Sequence, residues 1–108
     1  MSQLNFHEST ITKFATDNAS LIIELEDVKT SSSIINMSIE VQNISTIIVD
    51  SHKQQYLSMP APDGEVLSLE LKDSSLNLLV EWNDFKKNNS FTHNYIVEGE
   101  NVIINLNK

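Results

Sequence analysis

Alternation with a period of two residues is what most constrains this chain. In Leu21-Ile22-Ile23-Glu24-Leu25-Glu26, the residues Leu21, Ile23 and Leu25 fall on one side, with Glu24 and Glu26 opposite. Ile35-Asn36-Met37-Ser38-Ile39-Glu40-Val41 repeats the pattern, as do Val66 to Leu71, Leu76 to Trp82 and Val102 to Leu106. Successive side chains of a strand point to opposite faces, whereas an amphipathic helix spaces its apolar residues by three and four. The alternating segments are short, rich in Ile, Val and Leu, and separated by turn residues. That pattern predicts a mainly β, antiparallel fold built from hairpins, arranged as a sandwich or half-barrel. A short helix over 50–57 is compatible with it, because Ser51-His52-Lys53-Gln54-Gln55 carries no strand bias. The 108 residues can enclose one core and read as a single domain, 1–108.

Turn chemistry proposes three hairpins. Glu98-Gly99-Glu100-Asn101 suits a type II′ turn, which pairs Val97 with Val102, Tyr95 with Ile104 and His93 with Leu106. Lys72-Asp73-Ser74-Ser75 pairs Leu71 with Leu76, Leu69 with Leu78 and Leu67 with Val80, which sets Glu65 opposite Trp82. Pro62-Asp63-Gly64-Glu65 suits a type I′ turn, so turns account for both glycines of the chain. Val66, Leu79, Ile96 and Ile103 fall on the second face of these strands, which implies that another layer covers part of that face.

Charge narrows the function classes. Fifteen acidic residues against seven lysines and no arginine give a net charge of −8. Nucleic acids and anionic membranes are bound through Lys and Arg, so neither is an expected partner. A basic protein, attracted over long range, is. There is no cysteine for disulfides or thiolate metal sites. Met1 to His7 lacks the basic and then apolar regions of a signal peptide, and runs such as Thr46-Ile47-Ile48-Val49 are too short to span a bilayer. The expected location is cytoplasmic.

Catalytic constellations are sparse. His7, His52 and His93 match no metal spacing, and no cofactor motif is present. Ser9, Ser58 and Ser90 lie in no nucleophile motif. His93 shares the parity of Phe91, Tyr95 and Val97 and reads as a packed strand residue. Glu81 faces away from Val80 and Trp82, and Asp84 lies past the strand end, so an acid–base pair is not forced on one substrate. The proposed pairings do gather Asp63, Glu65 and Asp84 at one end of the sheet, and Asp73, Glu98 and Glu100 at the other. Asp63, Glu65 and Asp84 are the expected partner contacts, ahead of Lys86 and Lys87.

Four segments carry a family resemblance: Phe6-His7-Glu8-Ser9-Thr10-Ile11, Leu25-Glu26-Asp27-Val28, Ala61-Pro62-Asp63-Gly64-Glu65-Val66-Leu67 and Val80-Glu81-Trp82-Asn83-Asp84-Phe85. Together they resemble small β-rich bacterial immunity proteins of contact-dependent growth inhibition and related polymorphic toxin systems. The resemblance implies a non-enzymatic protein that neutralises one cognate toxin domain, one to one, in the cytoplasm of the producing cell. Many such toxins are nucleases, including ribonuclease A-like domains, whose basic clefts an acidic inhibitor would complement. It implies no particular contact residues. Two other readings stand beside it: a small-ligand or peptide-binding β module around Trp82, His93 and Tyr95, and an enzyme using His93 with Glu81 or Asp84.

Overall fold

The computed structural model describes residues 5–107. Among these residues nine strands form one sheet: β1 (Thr10–Asp17), β2 (Ser20–Lys29), β3 (Ile34–Gln42), β4 (Thr46–Val49), β5 (His52–Gln54), β6 (Asp63–Leu71), β7 (Ser75–Asp84), β8 (Asn89–Glu98) and β9 (Asn101–Asn107). Their order is β5-β4-β8-β7-β6-β1-β2-β3-β9, and every neighbouring pair is antiparallel. The mainly β, antiparallel expectation holds. Among the described residues there is no helix, and therefore none long and apolar enough to cross a membrane.

The sheet curls over itself. Strands β8 and β9 stand third and ninth in the order, yet only Gly99 and Glu100 separate them in the chain. The short dimension of the molecule, 21 Å, accommodates two sheet layers at ~10 Å spacing with their outer side chains. Between the layers, Leu21, Ile23 and Leu25 of β2 and Met37, Ile39 and Val41 of β3 are buried, as are Leu76, Leu78, Val80 and Trp82 of β7. These are the residues that alternation assigned to one face. Phe14 of β1 joins the layers, its ring 4.9 Å from Tyr95 and 5.8 Å from Trp82.

Several local expectations are corrected. The β8–β9 hairpin does not form: β9 pairs with β3, matching Val41 to Val102, Ile39 to Ile104 and Met37 to Leu106. The second side of β8 is taken by β4, through Ile47 opposite Val97 and Val49 opposite Tyr95. The helix over 50–57 is absent; its first residues form a tight β4–β5 hairpin in which Val49 faces His52. The β6–β7 hairpin keeps its expected register from Leu71–Leu76 to Leu69–Leu78, then a bulge at Leu67 sets Val66 opposite Val80. The bulge turns Val66 inward, where it is fully buried, and sets Glu65 opposite Glu81 instead of Trp82. Residues 5–9 fill the bulge: Glu8 N–H donates to Val66 O, and His7 Nδ1 to Leu67 O. Leu79 and Ile96 remain half-buried on the outer face and Ile103 is exposed, so the second layer expected there is not found among the described residues.

Neither glycine makes a turn by left-handed geometry, since neither has positive φ. Asp63 and Gly64 lie within β6, and Gly64 sits opposite Trp82. A Cβ on Gly64 would come within 2.5 Å of the Trp82 ring, and one on Gly99 within 2.6 Å of Gln42 O. Both glycines serve close approach. The tight hairpins are made by other residues, Asn18-Ala19 (φ 49° and 65°) and Asp50-Ser51 (φ 50° and 73°), in the geometry of type I′ turns. Asn and Asp tolerate this region, whereas Ala carries the full Cβ clash. Ala19→Gly is expected to stabilise the fold by about 1 kcal/mol. A chemical-denaturation midpoint that is unchanged or lowered would contradict the strained turn.

Candidate functional site

The outer faces of β6, β7 and β8 carry two polar rows. In the first, Thr10 of β1 lies opposite Glu26 on one side and Glu65 on the other, Glu65 lies opposite Glu81, and Glu81 opposite Thr92. Strands are about 4.8 Å apart, so Glu65 and Glu81 are immediate neighbours and Glu26 is two strands away. Like charges directly opposite are destabilising, here by roughly 0.5–1 kcal/mol in water. Among the described residues none of these three carboxylates joins an ion pair. In the second row, Asp63 lies opposite Asn83, and Asn83 opposite Ser90. Asn83 is only 8% exposed and is held from both sides. Its Nδ2 donates to Asp63 Oδ2 at 3.3 Å, and Ser90 Oγ donates to its Oδ1 at 2.7 Å.

The structure therefore brings Asp63 and Glu65 together on one face and adds Glu81 and Glu26 to them. Asp84 stands apart. It is the last residue of β7, on the parity of Trp82, and its Oδ1 accepts the Lys87 N–H at 3.3 Å. Lys86 and Lys87 occupy the exposed β7–β8 turn beside it. Glu65 next to Glu81 was not legible because the bulge at Leu67 shifts the pairing by one residue. Asp73, Glu98 and Glu100 do lie at the opposite end: Gly99 N–H donates to Ser74 O, Val102 N–H to Asp73 O, and Asn43 Nδ2 to Glu100 Oε2.

On the inner face, Trp82 and Tyr95 are buried, and the indole Nε1 donates to Tyr95 Oη at 2.8 Å. Burial pushes the Tyr95 phenol up to about 12, against the Trp82 hydrogen bond, which lowers it. These two side chains are part of the buried core. The expectation of a packed His93 holds in part: its ring lies edge-on to Phe91 and Tyr95, but its side chain is 32% exposed, and its Nδ1 lies 2.5 Å from Asp50 Oδ2. Asp50 Oδ1 accepts the Asn94 N–H at 2.8 Å, and Asp50 N–H donates to Asn94 O. The Asn94 amide and then His93 hold the Asp50 carboxyl below its ordinary range, opposed by slight desolvation. Asp50 was not legible because its partner lies 43 residues away and the turn that presents it carries neither glycine nor strand bias.

His93 and Glu81 lie on opposite faces of adjacent strands, because Val80 is the residue facing His93. The acid–base pairing of His93 with Glu81 is thus separated by the sheet. A histidine–carboxylate pair is two parts of a nucleophile triad, but Ser90 Oγ is engaged by Asn83 and Ser9 Oγ by Phe6 O. The Asp50–His93 contact instead ties the β4–β5 hairpin to β8. A carboxyl depressed on folding adds stability that is full above its ordinary range and is lost as the pH falls from that range through the depressed one. Asp50→Asn is expected to cost about 1 kcal/mol at pH 7, discounted for exposure, with the gap to the unmodified chain closing on acidification. Urea midpoints showing the same gap at pH 7 and at about pH 2 would contradict this.

An open groove of about 580 Å³ runs between the β1–β2 turn and the β4–β5 hairpin, lined by Asp17, Asn18, Lys53, Gln54 and Tyr56 among others. Among the described residues no group of three or more His, Asp or Glu is placed to hold a metal ion. No family model, no curated protein and no solved structure matches this chain.

Proposed function

We propose that this chain is a protein inhibitor, an immunity protein that docks an acidic sheet face onto the basic, nuclease-like cleft of a cognate toxin domain in the cytoplasm of the producing cell. The observation that carries this reading is the outer row in which Glu65 and Glu81 face each other, with Glu26 in line and Asp63 beside them. Carboxylates held this close at a cost to folding are complementary to a surface that binds successive phosphates. The face is the outside of strands whose inner side chains build the core. The acidic excess of the chain and its resemblance to immunity proteins point the same way. Asp63, Glu65 and Glu81 are assigned the central contacts; Asp84, beside two lysines, is assigned the rim.

The test is the association rate with the C-terminal domain of the protein encoded directly upstream. Electrostatic steering weakens as the screening length falls from about 10 Å at 0.1 M salt to about 3 Å at 1 M. The rate is expected to drop at least tenfold across that range. A rate independent of salt would contradict docking through these carboxylates.

The second reading is a small-ligand module, which the groove beside Tyr56 supports. Quenching of Trp82 does not report on it, since the indole is buried; Tyr56, exposed at the groove, is the residue to perturb.

A further inference from the structure

An edge strand presents one row of unpaired N–H and C=O groups, and natural sheets protect such edges with short strands, charges, prolines or bulges. The β5 edge is protected: it has three residues, one of them Lys53, and a turn closes it. Past Val102, where the β6–β7 turn lies against it, the β9 edge has none of these devices among the described residues. It runs seven residues beside β3 with no break in register. Asn101-Val102-Ile103-Ile104-Asn105-Leu106-Asn107 contains no proline and no charge, although the whole chain has 15 acidic residues and seven lysines. Ile103, Ile104 and Leu106 are 36%, 40% and 50% exposed.

We propose that β9 is a self-association edge, pairing antiparallel with β9 of a second copy over Ile103–Asn107 about a two-fold axis at Asn105. Three observations select a second copy as the occupant. Two chains of charge −8 repel each other, and this edge lets them meet with no charge inside the paired segment. The register is self-complementary: it places Ile104 opposite Leu106 of the other copy, and both belong to the face that pairs with Ile39 and Met37 of the core. A symmetric dimer requires such a match of one patch with itself. Finally, Val102 N–H turns away from β3 to donate to Asp73 O at 3.0 Å. Alternation along the strand aims the peptide groups of Ile104 and Leu106 to that same open side. The β6–β7 turn occupies the side at Val102, so pairing is confined to the residues that follow it.

The interface is smaller than a standard one, so the dimer forms reversibly at high concentration. Sedimentation velocity of the full chain from about 10 to about 500 µM is expected to show the mass rising from 12.2 kDa towards twice that value. Ile104→Pro removes a donor on the open side only, a placement that edge strands tolerate. It is expected to weaken the dimer at least tenfold with the circular dichroism of the fold retained. Leu106→Lys, at the exposed end of the strand, is the second variant, expected to have the same effect should Ile104→Pro not fold. A chain that stays monomeric throughout, or a dimer undiminished in a folded variant, overturns the proposal.

Discussion

Gly64→Ala is expected to destabilise the fold by about 3 kcal/mol, lowering its melting midpoint by on the order of 15 °C. In an ordinary strand the same change stabilises, because glycine loses more backbone freedom on folding than alanine. Here a Cβ would lie 2.5 Å and 2.7 Å from two ring carbons of Trp82. The ring has little room to retreat. Its Nε1 is held by Tyr95 Oη, and Phe14 packs against both aromatic residues. Dense cores accommodate an added methyl group only by forcing side chains off their rotamers. Gly64→Asn separates this explanation from a turn requirement. Asparagine is welcome in a left-handed turn, but at Gly64 it is expected to be at least as damaging as alanine. A neutral Gly64→Ala in thermal denaturation would mean that Trp82 does not sit over β6 as described.

If the chain is the inhibitor proposed above, the double reversal Glu65→Lys with Glu81→Lys is expected to lower affinity for the proposed toxin domain at least 100-fold, about 3 kcal/mol. It removes two carboxylates from the middle of the proposed docking face and would set two ammonium groups against the basic cleft that the proposal assigns to the partner. Asp84→Lys alone is expected to have a smaller effect, because Asp84 lies at a strand end beside Lys86 and Lys87. Folding serves as the internal control. The reversal exchanges one like-charged neighbour pair for another, so the denaturation midpoint should move little. Equal losses for Glu65→Lys/Glu81→Lys and for Asp84→Lys would shift the interface to the hairpin end of the molecule.

Alternation was enough to find most strands and their core faces, since Leu21, Ile23 and Leu25, then Met37, Ile39 and Val41, are buried as their parity requires. The local hairpin at Lys72–Ser75 was legible because its turn and its apolar matches agree. The long-range pairing of β9 was not. Val102, Ile104 and Leu106 match Val97, Tyr95 and His93 by parity as readily as they match Val41, Ile39 and Met37, and only the occupation of β8 by β4 decides between them. The tight turns were missed because Asn18-Ala19 and Asp50-Ser51 lack the glycine that usually marks a type I′ turn. Of the candidate site, Asp63 and Glu65 were legible from charge. The approach of Glu65 to Glu81 depends on one extra residue in β6, and a bulge leaves no mark in alternation until the partner strand is known.

Titration calorimetry of this chain against the C-terminal domain of the upstream-encoded protein is the most direct measurement of the central claim, run beside the Glu65→Lys/Glu81→Lys variant. The inhibitor reading predicts nanomolar one-to-one binding that the variant loses while remaining folded. Absence of heat with the unmodified, folded chain, or affinity unchanged in the variant, would contradict docking through the acidic sheet face.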